Sequence, residues 1–533
     1  MKTKKIILGL STLMIVGVAS GCSNIIKIEI QKPELITEAQ LKEKYSENNK
    51  ITINFWTGFG STMTDALEES IAVFEEQYPY ITVNHEQKGG YDKLHSSVVQ
   101  ALASSSYPHV VVGYPDHFAD YISSNIQYEL NDYIESEEYG VDISDYYEQY
   151  MRENNSLMFK DEAKTQPYTM GIPFNKSTEV MVYNKTFFEA FDLTVPETWD
   201  DAITTGKEII SIVKGTSSKL TRAEDKVNHF GTIWEYKVSE EKTVKFDFTL
   251  VEEKDFYPLS YDSQSNFFIT MCYQFGGKYT EMGDTIEEGY LRFKGDQNVL
   301  DALNFVKSMN EQHVLGIPST WDEPQYCSAE FKALKSLMTI SSSVGVTNNI
   351  ASGDKFEVGI APIPYKYADK KFVVSRGTNM AILKSDAEHA LASWLFIRFM
   401  TGGVTYKGSA IDPVTGGSKE TIENENVNFA IASGYLPVNK SGEESDWYQQ
   451  YLASTVASAS DKAKIAVQKV ANDIYVKQNW DKFVDSAFIG SSDIRTQVGN
   501  IIPFILTGAS GKIYTPEEAI DYVYKKLSSY IER

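Results

Sequence analysis

The chain predicts an α/β protein of two lobes, each built on a doubly wound sheet. Three observations carry this expectation. Strand and helix patterns alternate from residue 51 to 112, a second α/β stretch opens near Pro173, and 533 residues exceed one compact domain of ordinary size.

The elements follow in order. Ile51-Thr-Ile-Asn-Phe-Trp56 alternates apolar and polar residues, as a strand with one buried face does, and Gly58 and Gly60 break it. Leu67, Ile71 and Phe74 then share a helical face, with Asp65, Glu68 and Glu69 near its start, where carboxylates suit the helix dipole. Pro79 closes that helix. Ile81-Thr-Val-Asn is the second strand, Leu94, Val98 and Leu102 mark a helix, and Val110-Val-Val is the third strand. In parallel sheets of this kind ligands bind at the carboxyl ends of strands. The loops there hold residues 56–60, 88–91 and 113–117. Later, Val180-Met-Val-Tyr183 precedes a helix with Thr198 as cap and Asp201 three residues on. Residues 215–265 carry weak periodicity and predict long loops on one lobe, and 402–430 reads as an insertion. Residues 299–309 and 387–400 predict strong helices. The last helix has Thr515 as cap, Pro516 at its first position and Glu518 completing the box.

The N-terminus reads as a targeting segment. Lys2, Lys4 and Lys5 precede an apolar run over 6–18, which is shorter than the roughly 20 residues a membrane span needs. It ends at Ala19-Ser20-Gly21-Cys22, which resembles the lipobox of bacterial lipoproteins, although Ala19 stands where Leu or Val is usual. That resemblance implies cleavage after residue 21, lipid on Cys22, and a location on the extracellular face of the cell membrane. Residues 1–21 are then signal peptide and 22–50 a tether. Of the other cysteines, Cys272 lies in an apolar run; it could pair with Cys327 in an oxidising compartment or stay a buried thiol.

The charge excludes some partners. Lys and Arg total 50 against 73 Asp and Glu, a formal charge of −23. Such a surface repels phosphate backbones, so no nucleic-acid partner is expected. The seven histidines show no metal-ligand spacing, and no motif singles out a nucleophile or an acid pair. The chain is therefore expected to be no enzyme and to need neither cofactor nor metal.

An ordered set of segments supplies a class. These are Ile53-Asn-Phe-Trp56, Phe74-Glu-Glu-Gln-Tyr-Pro79, Gly89-Gly90-Tyr91-Asp92-Lys93-Leu94, Pro173-Phe-Asn-Lys-Ser-Thr-Glu-Val180, Tyr183-Asn-Lys185 and Pro196-Glu-Thr-Trp199. Phe275-Gly276-Gly277, Met338-Thr-Ile-Ser341-Ser342-Ser343 and Ser433-Gly-Tyr-Leu-Pro437 follow. From about residue 51 to 533 the chain resembles the extracellular solute-binding lipoproteins of ABC transporters, in the branch that binds sugars and glycerol phosphates. The resemblance implies a two-lobed, periplasmic-binding-protein-like fold with the ligand trapped between lobes, and delivery to permease subunits by a monomer. Lobe one is expected over 51–174 and 362–405, and lobe two over 180–358 and 410–533. Chain crossings are expected near 172–180, 360–365 and 402–435.

The same resemblance places Tyr91, Ser177, Trp234, Ser342, Ser343, Gly377 and Tyr435 at ligand-contacting positions. Ser177 could equally satisfy hinge backbone. Trp56 either stacks on a sugar ring or packs under its loop. Tyr114 and Asp116 sit in the loop after the third strand with His117. There Asp116 either accepts sugar hydroxyls or caps the helix ahead of Phe118. Glycerol-phosphate binders carry a late arginine in a Gly-Leu-Arg-Leu-Gly-like context, and this chain has Ser486-Ala-Phe-Ile-Gly490 there. Arg376 and Arg495 are not at that position. The departure, with the acidic charge, implies a neutral sugar or oligosaccharide rather than a phosphorylated ligand.

Overall fold

The structure is a computed structural model describing residues 28–155, 168–283, 286–353, 355–411, 418–455, 458–483 and 486–531. The segment read as a signal peptide, and Cys22, lie outside the described residues. Strands β1 (Ile51–Thr57), β2 (Ile81–Gln87) and β3 (Val110–Gly113) are parallel, with Ile51 opposite Ile81 and Phe55 opposite Val110. Ile51, Ile53 and Phe55 point into one core, which gives β1 its alternating burial. Helices Ser61–Gln77, Tyr91–Ala101 and Pro115–Ser123 follow the three strands, so the strand–helix order read from the sequence is the order observed.

Two strands then do what a simple doubly wound sheet does not. β4 (Ile172–Asn184) is 13 residues long and buried along nearly its whole length. Ile172 and Phe174 belong to the first hydrophobic core, whereas Val180, Met181 and Val182 belong to a second. Strands β5 (Leu259–Tyr261), β6 (Leu315–Gly316), β7 (Met338–Ser342) and β8 (Val358–Ala361) complete the second lobe. There β7 and β8 pair antiparallel with the far half of β4. The chain returns through β9 (Phe372–Ile382). Its Val373 and Val374 lie in the second core, and Met380 and Ile382 lie in the first. β9 runs antiparallel to both β4 and β3, with a register shift at Thr378/Asn379, and β10 (Asp481–Phe483) joins its first half. The two lobes therefore share one continuous sheet through a pair of antiparallel crossing strands. The second crossing falls at 372–382 rather than at 360–365.

Three expectations about the lobes are corrected. The segment read as a tether is docked from Ile28 onward. Leu41 is fully buried in the helix Glu38–Lys44, Lys32 pairs with Glu129 at 2.6 Å, and the Tyr139 hydroxyl donates to the Ile36 carbonyl at 2.9 Å. Next, the 402–430 insertion is a hairpin of Thr405–Ile411 and Ser418–Asn424, followed by helix Glu425–Ser433. That helix packs on Ser61–Gln77, and Phe429, Tyr435 and Val438 join the first core, although everything after 410 was expected in lobe two. Finally, 215–265 is not all loop. Ile233–Lys237 and Thr243–Asp247 form a hairpin whose Trp234 and Phe246 anchor it in the second core.

Local chemistry explains the ends that were foreseen. The Thr198 hydroxyl accepts from the Asp201 backbone while the Asp201 carboxylate accepts from the Thr198 backbone, and Thr515 and Glu518 repeat the arrangement. Cys272 and Cys327 are both buried free thiols. Among the described residues no helix is long and apolar enough to cross a membrane.

Candidate binding site between the lobes

The loops at the carboxyl ends of β1, β2 and β3 meet the crossing strands, and the meeting is tight. A side chain at Gly58 would come within 2.7 Å of the Gly90 backbone, so the first two loops touch main chain to main chain. Gly90 itself has φ +113, a conformation open to glycine, and it turns Tyr91 inward as the first residue of its helix. Tyr114 caps the helix after β3, and Tyr435 follows Gly434, whose φ of +85 ends Glu425–Ser433. Three separate helix ends thus deliver three tyrosines. The Tyr91 and Tyr435 hydroxyls are 3.2 Å apart, and the Tyr91 and Tyr114 rings lie 5.0 Å apart. Phe59, Phe174 and Phe429 close the cluster from the lobe-one side.

β4 and β9 form the floor. Asn175 is fully buried, and its Oδ1 accepts from the Thr378 backbone at 2.9 Å. A backbone N–H needs an acceptor, which fixes the amide orientation and leaves Nδ2 without a hydrogen-bond partner of good geometry. This Nδ2 lies beside the Tyr91 and Tyr435 hydroxyls. Arg376, opposite Ser177 in the register, is half-buried and lays its guanidinium over Tyr114 at 3.8 Å from the ring centre. Burial raises the pKa of all three tyrosines, and for Tyr114 the Arg376 charge works against that rise.

Beneath the floor, Lys176 is fully buried and donates to Glu153 (2.6 Å), Asn379 (2.9 Å) and the Gly377 carbonyl (3.3 Å). Burial lowers its pKa and Glu153 opposes the change. On the lobe-two side, Glu179 accepts from Tyr261 (2.6 Å) and Asn266 (3.0 Å), and burial pushes its carboxyl up to about 7. Arg495, also buried, donates to Asn266.

The sequence-chosen residues separate into two groups. Tyr91, Tyr114, Ser177, Gly377 and Tyr435 are brought together. Gly377 is there as backbone: with φ +117, a side chain would fall 1.9 Å from the Asn175 carbonyl. Ser343 supports the crossing, since its hydroxyl accepts from the Thr178 backbone at 3.1 Å, and exposed Ser342 sits opposite Glu179. The remaining three do not join the cluster. Trp56 donates to Glu86 and its ring face is covered by the Lys88 ammonium at 3.6 Å. Asp116 is 2% exposed and accepts from the next backbone N–H. Trp234 is buried in the hairpin core, stacked on His229 at 3.7 Å, with its N–H donating to Asp225.

Sequence reasoning missed Asn175, although it stands in the Pro173-to-Val180 segment, and it set Arg376 aside. An open hollow of about 490 Å³ lined by Asp142, Asp145, Lys440 and Glu444 lies away from this site.

Two lobes joined by crossing strands gather aromatic rings and polar groups at the crossing. Solved structures share the fold. UgpB from Mycobacterium tuberculosis with glycerophosphocholine is 18% identical, with a TM-score of 0.62 over 91% of this chain and 99% of that one. Lmo0181 from Listeria monocytogenes with cycloalternan is 17% identical, with a TM-score of 0.61 over 91% and 99%. Maltose-bound MalE3 from T. maritima is 15% identical, with a TM-score of 0.59 over 90% and 99%. No curated protein matches the chain in sequence. The model of the bacterial extracellular solute-binding proteins matches residues 69–412, and the chain belongs to that family.

Proposed function

We propose that this protein is the substrate-binding component of an ABC importer, lipid-anchored through Cys22 on the extracellular face of the membrane, and that it captures a sugar or oligosaccharide between its lobes. The observation that carries this reading is the gathering of Tyr91, Tyr114 and Tyr435 over β4 and β9 beside the buried amide of Asn175. Tyrosine rings offer flat apolar faces to sugar C–H groups, and their hydroxyls with the Asn175 amide offer hydrogen bonds. Closure removes water and strengthens each of those contacts. Release to permease subunits then requires the lobes to part about β4, β9 and the passage of chain between Val438 in the first core and Ala463 in the second. The solved relatives bound to maltose, cycloalternan and glycerophosphocholine support a ligand of this size. No catalytic role is assigned, because the buried carboxylates Glu179 and Asp262 are engaged by Tyr261, Asn266 and the Cys327 backbone.

A thermal-shift screen with sugars and oligosaccharides tests the reading, since a ligand bound only by the native state raises the melting temperature. At least one sugar is expected to raise it by several degrees. A broad panel without a shift, and without heat in calorimetry, contradicts it. Replacing Cys22 by Ser should release the protein from the membrane fraction; unchanged membrane retention contradicts the anchor.

A further inference from the structure

We propose that a short leash holds one face of lobe one, the face carrying the docked run 28–50, against phospholipid headgroups, making lobe one the membrane-proximal lobe. The inference rests on the lipid anchor at Cys22 proposed above. It goes beyond anchoring to say which surface the membrane meets.

The first argument is length. The chain is fastened to lobe one from its first described residue. Ile28 and Ile30 pack against the first core, and the Glu29 backbone N–H donates to Asn125 at 2.8 Å. Gln31 bridges Tyr128 and accepts from Lys384 at 3.0 Å, while Lys32 pairs with Glu129 at 2.6 Å and Asp132 at 3.2 Å. The helix Glu38–Lys44 continues the attachment through buried Leu41 and through Glu38, which accepts from the Tyr80 hydroxyl at 2.6 Å. Cys22 stands six residues before Ile28. Even fully extended, a leash of that length reaches only about 20 Å. A long tether would let any face of the protein turn to the membrane; this one does not.

The second argument is placement. The docked run leads into the amino end of β1, where the Ile51 N–H donates to the Tyr80 carbonyl. Beside it lies the amino end of β3, where the Leu383 N–H donates to the His109 carbonyl. The capture loops leave the carboxyl ends of the same strands, so membrane and ligand meet opposite ends of lobe one. Among the described residues the second core holds nothing before Val180, so the anchor pulls on lobe one alone.

The third argument is charge. Over residues 27–50 five lysines match five glutamates, whereas the whole chain carries −23. This neutral run is a part of an acidic surface that anionic headgroups repel little. The leash itself carries Ile25, Ile26 and Lys27, apolar and basic side chains suited to the boundary between acyl chains and headgroups.

The test is energy transfer from the full mature chain, purified from a bacterial host, to an acceptor dye on the headgroups of phosphatidylcholine–phosphatidylglycerol vesicles. Donor dyes go on E34C, in the docked run, and on E311C, at the end of helix Gln297–Glu311. That helix leads into β6, the edge strand of the shared sheet farthest from lobe one, and the native Cys272 and Cys327 are buried away from the dye. With the leash limited to about 20 Å, E34C is expected to transfer at least about twofold more efficiently than E311C. Inserting about 60 Gly/Ser residues after Lys27, with an r.m.s. span of about 45 Å, should bring the two efficiencies together. Equal transfer from both sites without the insertion, or stronger transfer from E311C, overturns the inference while leaving the anchor intact. A bias that survives the insertion overturns the leash as its cause. If the chain stays off the vesicles, the anchor and this inference fall together.

Discussion

Trp234 and Tyr91 are both aromatic residues with a polar edge, and the clusters that hold them differ in where that edge goes. Around Trp234 every polar end is consumed inside lobe two: the indole N–H by Asp225, the His229 ring by stacking at 3.7 Å, and its Nε2 by the Asp225 carbonyl. Around Tyr91 the hydroxyls of Tyr91 and Tyr435 meet one another at 3.2 Å and face the Asn175 amide at the crossing between the lobes. The first is a finished core that fastens a hairpin. The second is a surface between two cores, held by strands that belong to both. Aromatic content alone does not distinguish them; the fate of the hydrogen-bonding groups does.

The largest expected effect is at the hinge. Gly377→Ala places a methyl group 1.9 Å from the Asn175 carbonyl at φ +117, and should cost more than about 4 kcal/mol in urea unfolding or prevent folding. A stable, ligand-competent Gly377→Ala protein would show that the crossing is not built as described. Next, Trp234→Ala should cost about 3–5 kcal/mol of stability, as truncation of a buried tryptophan does. The folded fraction should nevertheless keep its ligand affinity within twofold. Tyr91→Ala should do the reverse in proportion, with affinity down tenfold or more and a smaller loss of stability than Trp234→Ala, because Tyr91 is only half-buried. Loss of binding in Trp234→Ala with retained folding would erase the distinction.

A smaller effect concerns pH. Burial, aided by the neighbouring His95 and Arg376 charges, pushes the His117 imidazole down to about 3. Unfolded, it takes a proton near 6.5, so the folded state binds fewer protons between those values and stability falls as pH drops below 6.5. The slope is up to about 1.4 kcal/mol per pH unit. His95, stacked on it at 4.7 Å, works in the other direction. Burial alone would lower its pKa, but the Asp120 carboxylate at 2.9 Å raises it, so its contribution is full below 6.5 and is lost as pH rises through its folded value. His117→Asn should therefore flatten the acid limb in denaturant titrations at pH 4–7. An unchanged limb would contradict the assignment. Smallest of all, Tyr435→Phe removes one hydroxyl and should cost about 0.5–1.5 kcal/mol in unfolding.

Much of lobe one was legible because its signals are local. Alternation in 51–56, the caps at Thr198 and Thr515 and the breaks at Gly58 and Gly90 are decided by neighbours within a few residues. The crossings were only partly legible. β4 carries two apolar stretches, 172–174 and 180–183, around the polar run 175–179, and nothing in its own composition says that Phe174 and Val180 enter different cores. The docking of Ile28 to Leu41 on lobe one and of Phe429 and Tyr435 on the first core depends on contacts hundreds of residues apart, for which one sequence carries no period. At the site, Tyr91, Ser177, Gly377 and Tyr435 are placed by motif position and Tyr114 by its loop after the third strand, and the five converge. Trp234 was placed the same way and does not, because an indole in a loop motif looks identical whether its N–H meets a ligand or Asp225. Arg376 shows the reverse: a position without a family precedent turned out to face the crossing.

The most direct test of the account is hydrogen exchange with and without the ligand that raises the melting temperature most. Capture between the lobes should slow exchange in the amides of 91–95, 114–117, 175–178, 376–379 and 434–436 and leave the 229–247 hairpin unchanged. Protection confined to the hairpin, or to the outer faces of either lobe, would contradict capture between the lobes.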